Sequence, residues 1–355
     1  MRIGFDLTST AVARLSGTSL YALALVQALA QTVPEHRYVG CFRLSAVRRR
    51  GRMPTLPAGV ERRYYWDRFD PLLDRAIDVF HGLDSRAGRF GRVKQVVTLH
   101  DVVHLWRTDF GTPEGRAKRR VQFEEVKRRA SAILTVSQFE KSRIVEHLGA
   151  DPARIHVIPL APAPEFRPVR EPDVQVLERR GVRGPYVLFV GVIQQRKNVL
   201  RLMEAFSRVK TDATLVLAGS VRGLFEAEFR AALRRHGERV QWLGYVPNEE
   251  LPALYAGARC LAFPSEYESF GIPVLEAMSC GCPVVASTAG ALPETCGGAA
   301  ELHEPTDVEG MAAALDRVLN DESHRLALRD RGLRHAAQFS YERVARETAA
   351  VYAGL

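Results

Sequence analysis

Two α/β domains, each a doubly wound Rossmann-like parallel sheet covered by helices and facing the other across a cleft, are what this sequence predicts. Three observations carry that expectation. Short β-branched runs alternate with amphipathic helical segments along almost the whole chain, the pattern of βαβ units. The alternation stops once, at a proline-rich passage over residues 158–173, and then restarts. The chain also has 355 residues, more than one hydrophobic core comfortably serves.

In the first half the strand candidates are RIGFDL (2–7), RYVGCFRLS (37–45), VERRYYW (60–66), DVFHGLD (78–84), QVVTLHD (95–101), AILTVS (132–137) and IHVIPL (155–160). Helical patterns lie between them at SLYALALVQALAQ (19–31) and RRVQFEEVKRRA (119–130). In the second half YVLFVGV (186–192), ATLVLAGS (213–220), VQWLGYV (240–246), RCLAFPS (259–265) and PVVAS (283–287) alternate with helices at 198–209, 226–237 and 248–258. Strands alternating with helices in this way imply a parallel sheet covered on both faces. The last segment, 340–355, is helical with a stripe at Val344, Thr348, Val351 and Tyr352. We therefore expect a first domain at 1–165, a linker at 166–183 and a second domain at 184–337, with a terminal helix at about 338–355 crossing back to the first.

Composition narrows the function. At 46% hydrophobic and 26% charged residues the chain reads as an ordinary globular protein. No signal-peptide pattern opens it and no apolar run approaches the roughly 18 residues of a membrane span, so a cytoplasmic protein is expected. The five cysteines are scattered and read as reduced thiols. Cys280 and Cys282 have no second Cys/His pair at zinc spacing, and no metal site is expected.

The formal charge of +9 is unevenly spread: residues 42–52 hold five arginines and no acid, and 116–129 hold seven basic residues against two acids. Such runs are either solvated surface or a face that meets an anion. The expectation is a peripheral surface for the inner face of an anionic membrane, through Arg48, Arg49, Arg50, Arg119 and Arg120. No aromatic platform is interleaved with these runs, so no nucleic-acid partner is expected.

Chemistry concentrates in SEYESFGIPVLEAMSCGCPVVAS, residues 265–287. A strand ends at Pro264-Ser265, and Pro273 suits the first turn of a helix that Gly281 stops. The loop between them brings backbone N–H groups to a helix N-terminus, an anion site, and Gly271 permits close approach of a ligand. Glu268 at the loop tip and Glu276 one turn into the helix are placed to grip hydroxyls, as acids of dinucleotide folds grip ribose. The helix dipole alone also favours such acids. Arg196 and Lys197, in VGVIQQRKN at the end of the second domain's first strand, supply the cations a diphosphate needs. In the first domain Gly17 opens a helix, and His100 with Asp101 ends a strand. The histidine is either a contact to the transferred group or a side chain satisfied locally.

These stretches together resemble the retaining GT-B-fold glycosyltransferases of the large E-x7-E family, which includes bacterial mannosyl-, rhamnosyl- and glucosyltransferases. The resemblance runs through SGTSLYALALVQAL, VVTLHDVV, ILTVSQFEKSRI, RIHVIPLAP, YVLFVGVIQQRKN, LGYVPNEELPALYAGA and the segment 263–287. It implies that Glu276 holds the donor ribose and that Glu268 contacts the transferred sugar. The backbone of Ser269, Phe270, Gly271 and Ile272 would bind sugar hydroxyls and phosphate. Arg196 and Lys197 would neutralise the diphosphate, Gly17 would approach it, His100 would contact the sugar, and the base would lie by Tyr245 and Val246. The donor expected first is GDP-mannose, then a UDP-sugar; it is a substrate, and no cofactor is expected. The acceptor would be a glycan or lipid-linked molecule. Two positions depart from the family pattern: Ser19 and Ala161 stand where glycine is usual. The alternatives are an epimerase or phosphorylase on the same fold, or a non-catalytic basic module that binds nucleotide or nucleic acid.

Overall fold

A computed structural model gives the fold, and it describes residues 1–13, 15–66, 70–169, 171–221 and 225–355. The side chains of residues 48–51 are likewise outside the described set. The chain forms two units, Met1–Leu160 with Ser340–Leu355, and Ala161–Phe339.

The first unit is built on seven parallel strands: β1 (Arg2–Asp6), β2 (Arg37–Arg43), β3 (Val60–Tyr65), β4 (Val79–Gly82), β5 (Lys94–Thr98), β6 (Ala132–Thr135) and β7 (Ile155–Val157). They lie in the order β3-β2-β1-β4-β5-β6-β7. Growth of the sheet thus reverses between β1 and β4, and the loops that follow these strands diverge there, opening the crevice where such sheets bind ligands. Ile3, Phe5, Val39, Phe80, Val97 and Ile133 are buried along the strands, as a sheet covered on both faces requires, whereas the edge strand β3 is mostly accessible.

The terminal helix Tyr341–Ala353 belongs to this unit. Ser340 caps it by accepting from the Arg343 amide, with Val344, Thr348 and Tyr352 on its buried side. The Tyr352 hydroxyl lies 2.6 Å from His81 Nδ1, and His81 Nε2 lies 2.8 Å from the Thr98 hydroxyl. Burial, and next the charge of His100, push the His81 imidazole down to about 3. It is therefore neutral and needs both hydroxyls. Tyr352→Phe strands one buried ring nitrogen, and a loss of about 1–3 kcal/mol in unfolding free energy is expected. A Tyr352→Phe chain as stable as wild type in urea would show that this contact does not hold the helix.

The second unit has six parallel strands: β8 (Tyr186–Val190), β9 (Thr214–Ala218), β10 (Val240–Gly244), β11 (Cys260–Phe263), β12 (Val284–Ser287) and β13 (Glu301–His303). Their order is β10-β9-β8-β11-β12-β13, so the switch point lies between β8 and β11. Val187, Phe189, Leu202, Phe206, Leu215 and Leu315 are among its buried core residues. The Rossmann-like α/β class expected from the sequence is the class observed. β13 and a short helix are among the elements absent from the expected string. β13 is only three residues long, and its Glu301 and Leu302 remain accessible, so no apolar run marks it. The passage 166–183 holds a short helix, Val174–Arg179, capped by Asp173. Among the described residues, no helix is long and apolar enough to cross a membrane.

Candidate active site

The switch point of the second unit brings together the two motifs singled out above. β8 and β11 are hydrogen-bonded neighbours, so the segments that follow them run side by side. The Glu266 amide donates to the Arg196 carbonyl at 2.8 Å. Arg196 Nη1 donates to the Tyr267 carbonyl at 3.1 Å and to Glu268 Oε1 at 3.3 Å, while Lys197 Nζ reaches the same Oε1 at 2.5 Å. Lys197 also sits 4.7 Å from the centroid of the Phe263 ring. The contacts expected of Arg196 and Lys197 are to a diphosphate; in the structure both neutralise Glu268.

Electrostatics follow from that geometry. Burial alone would raise the Glu268 carboxyl, but the charges of Lys197 and Arg196 and the hydrogen bond from Lys197 outweigh it and hold the group below its ordinary value. Burial pulls the Lys197 ammonium down, against the attraction of Glu268. The two cations differ in access, the Arg196 side chain being 28% exposed and that of Lys197 9%.

Asn198 completes the R-K-N element in a way its sequence position did not reveal. It adopts a left-handed backbone (φ 58°), a conformation asparagine tolerates better than most residues. Its Nδ2 donates to the carbonyls of Pro264 at 3.1 Å and Pro305 at 2.5 Å. Its Oδ1 accepts from Arg201, which also pairs with Glu266 at 2.6 Å. Asn198 thus fastens the start of the Glu268 loop to the segment after β13.

A second brace comes from the turn after β12, which sequence reasoning missed. The Ala291 amide donates to the Glu268 carbonyl at 2.9 Å, Ser287 Oγ to the Ser265 carbonyl at 2.5 Å, and Thr295 Oγ1 to the Phe270 carbonyl at 2.6 Å. Gly290 makes this approach possible. It has φ +64°, and a Cβ there would stand 2.3 Å from the Glu268 carbonyl oxygen. The only signal available was a glycine in a polar turn following a strand. Gly290→Ala is expected to displace Glu268 and to cost at least about 1–3 kcal/mol of stability from the left-handed backbone, with ligand affinity reduced further. An alanine variant with unchanged melting temperature and nucleotide affinity would remove this brace from the account.

The helix Ile272–Ser279 follows, with Gly271 (φ 98°) at its N-cap and Pro273 in its first turn. Gly271 packs so closely that a Cβ would lie 2.6 Å from Leu292 Cδ2. Phe270 is buried and Ser269 and Ile272 are half-buried. Glu276 Oε2 accepts from the Tyr255 hydroxyl at 3.0 Å. Burial pushes its carboxyl up to about 7, the Tyr255 hydrogen bond opposes this, and the nearby Glu165 adds to it. Tyr245 is exposed and Val246 buried, just after the edge strand β10. All five cysteines are free and buried, and among the described residues no group of three or more His, Cys, Asp or Glu is placed to hold a metal ion.

In the first unit, Gly17 begins the helix Gly17–Thr32, with Ser16 as its cap. A Cβ on Gly17 would meet nothing within 4 Å, so the space beside it is open. Ser19, where the family has glycine, is buried and donates to the Ser9 carbonyl at 3.0 Å, which ties the preceding loop to the helix. His100 follows β5, with Nε2 3.2 Å from the Leu83 carbonyl and its ring edge-on to Tyr21 at 4.9 Å. Burial lowers its pKa, against the Leu83 hydrogen bond and the charges of Asp101 and Asp84. It lines a cavity of about 70 Å³ with Asp84, Asp101, His104 and Arg119. Arg119 is thus half-buried in this cavity, and Arg120 donates to the Leu105 carbonyl at 3.1 Å. The side chains of Arg48, Arg49 and Arg50 lie outside the described residues.

Comparison with known proteins fits this architecture. Residues 178–335 match the family model described as glycosyl transferases group 1, and residues 15–162 match that described as Glycosyltransferase Family 4. O-antigen chain mannosyltransferase B of Escherichia coli is 37% identical over 274 residues, covering 73% of this chain and 70% of that protein. An MMP alpha-(1->4)-mannosyltransferase of Mycolicibacterium hassiacum is 34% identical over 235 residues, covering 64% of this chain and 55% of that protein. A sucrose-phosphate synthase structure from Thermosynechococcus elongatus superposes with a TM-score of 0.78 at 20% identity, over 99% of this chain and 98% of that one. The chain belongs to the group 1 glycosyltransferases of GT-B fold.

Proposed function

We propose that this glycosyltransferase moves mannose from GDP-mannose, a UDP-sugar being the alternative donor, to a glycan or lipid-linked acceptor in cell-surface polysaccharide or related glycan synthesis. Retention of configuration and independence of metal are part of the proposal. The observation that carries it is the Arg196–Lys197–Glu268 cluster at the switch point of the second unit. The choice of mannose is supported by relatives named as mannosyltransferases.

The chemistry follows from charge. Cleavage of a glycosyl phosphate bond gives an oxocarbenium-like sugar and a leaving nucleoside diphosphate that gains negative charge. Arg196 and Lys197 offset that charge, at typically several kcal/mol per well-placed group. Arg196, the more accessible, turns to the diphosphate first, while Lys197 stays between phosphate and Glu268. A carboxylate held by two cations and kept below its ordinary pKa is a weakened nucleophile, so Glu268 positions the sugar hydroxyls. Glu276 takes the ribose, the backbone of Ser269–Ile272 takes sugar and phosphate oxygens, and the main chain at Tyr245 and Val246 takes the base.

The test is a donor screen with product analysis by NMR, using GDP-mannose, UDP-glucose and their relatives with mannoside acceptors, in the presence of EDTA. An α-mannoside from GDP-mannose alone is expected. Epimerised donor without acceptor, an inverted product, or activity lost to EDTA and restored by a divalent ion would each overturn the corresponding part.

A further inference from the structure

Tyr255 is a fully buried side chain whose one polar atom is turned toward the candidate site. It lies in the helix Leu251–Gly257, between β10 and β11. Its hydroxyl donates to Glu276 Oε2 at 3.0 Å, and Glu276 is the more accessible of the two. The helix has other anchors. Tyr186, at the start of β8, donates to the Leu254 carbonyl at 2.7 Å, and a Cβ on Gly257 would stand 2.6 Å from the same hydroxyl. Leu251 and Leu254 are buried beside it. Phe166 fixes the Tyr255 ring from another side, edge-on at 5.9 Å. A ring held in this way points its hydroxyl in one direction, and the acceptor found there is the carboxylate that takes the ribose.

A carboxylate has about four lone-pair positions on its two oxygens. Tyr255 occupies one of them and fixes the plane of the group. The positions on Oε1 and on the outer side of Oε2 then suit a pair of vicinal hydroxyls. Without the tyrosine hydroxyl the last torsion of a glutamate is broad, and a ligand would have to order the side chain as it binds.

We propose that Tyr255 is a positioning residue for the nucleotide: its hydroxyl clamps Glu276 Oε2 and so aims the rest of the carboxylate at the two ribose hydroxyls of the donor. Tyr255 thereby sets the selectivity for ribose over deoxyribose. The inference rests on the reading of Glu276 as the group that holds the ribose.

The clamp also acts on charge. The titratable groups that face Glu276 are Tyr255, the exposed Glu165 of the proline-rich passage, and Cys280 one turn further along its own helix. Burial keeps the Tyr255 hydroxyl well above its ordinary range and pushes the Cys280 thiol up to about 12, so both stay neutral. The Tyr255 hydrogen bond favours the ionised form of Glu276, and its removal raises the pH at which that form appears.

Calorimetry with GDP and UDP, each beside its 2′,3′-dideoxy form, tests the proposal on wild type, Tyr255→Phe, Glu276→Ala and Tyr186→Phe. Wild type should prefer the ribose form about tenfold or more. Tyr255→Phe should lose most of that preference at pH 7 and bind the dideoxy form as wild type does. Its affinity for the ribose form should recover at higher pH, the midpoint of the profile moving up by about one pH unit. Tyr186→Phe should lower the melting temperature and leave preference and midpoint unchanged, since its hydroxyl meets a backbone carbonyl. In Tyr255→Phe, an equal loss of both forms at every pH would overturn the proposal. A preference lost in Glu276→Ala but kept in Tyr255→Phe would overturn the role of Tyr255 alone. A preference kept in Glu276→Ala, or no binding of either nucleotide, would overturn the ribose reading beneath it as well.

Discussion

Lys197→Ala is expected to abolish transfer, lowering kcat by roughly 10²–10³-fold, the scale on which a well-placed electrostatic contact acts. The same change should destabilise the second unit. Lys197 and Glu268 are both largely sheltered, and Lys197 supplies the shorter of the two contacts to the carboxylate. Removing one partner of a buried pair leaves an uncompensated charge and costs about 3–5 kcal/mol; Arg196 remains beside Glu268, so the lower end is expected. The two losses can be separated. Lys197→Ala/Glu268→Gln removes the stranded charge, so much of the stability should return while activity does not. Recovery of activity in the double variant would mean that Lys197 serves only to fold the loop.

Glu276 is expected to make donor binding depend on pH near neutrality. Its carboxyl is pushed up to about 7, mainly by burial, so roughly half of the free protein carries it protonated at that pH. A carboxylate accepts two hydroxyl donors where a protonated acid accepts fewer. Nucleotide affinity should therefore rise from about pH 6 to pH 8, with uptake of ligand releasing a proton. Glu276→Gln should bind about tenfold or more weakly, as the loss of about 1.5–3 kcal/mol from a charged hydrogen bond implies, and without that dependence. Stability runs the other way. Because the folded pKa lies above the unfolded value, this group's contribution is full below the unfolded pKa of about 4.5 and is lost as pH rises through 7. A flat affinity profile in wild type, or the same slope in the glutamine variant, would remove Glu276 from the nucleotide site.

Most of the fold was legible because short β-branched runs alternate with helical patterns. Arg196, Lys197 and Glu268 stood out because they follow such runs, and Glu276 because it lies one turn into the helix that Pro273 opens. What was not legible depends on which strands become neighbours. The contacts of Lys197 and Arg196 with Glu268 span about seventy residues and arise only from the pairing of β8 with β11. Asn198 holds a carbonyl 107 positions away, a role no local pattern announces. Gly290 looks like any turn glycine until the Glu268 backbone is seen against it. β13 escaped because three residues, two of them accessible, make no periodic signal.

The central claim is that the second unit binds a nucleoside diphosphate through Arg196 and Glu276. Titration calorimetry with GDP, UDP and dTDP, on wild type, Arg196→Ala and Glu276→Ala, tests it most directly. GDP is expected to bind wild type more tightly than the other two, and both variants to lose at least about tenfold in affinity, about 1.4 kcal/mol. Equal binding by wild type and both variants, or no binding of any nucleoside diphosphate, would contradict it.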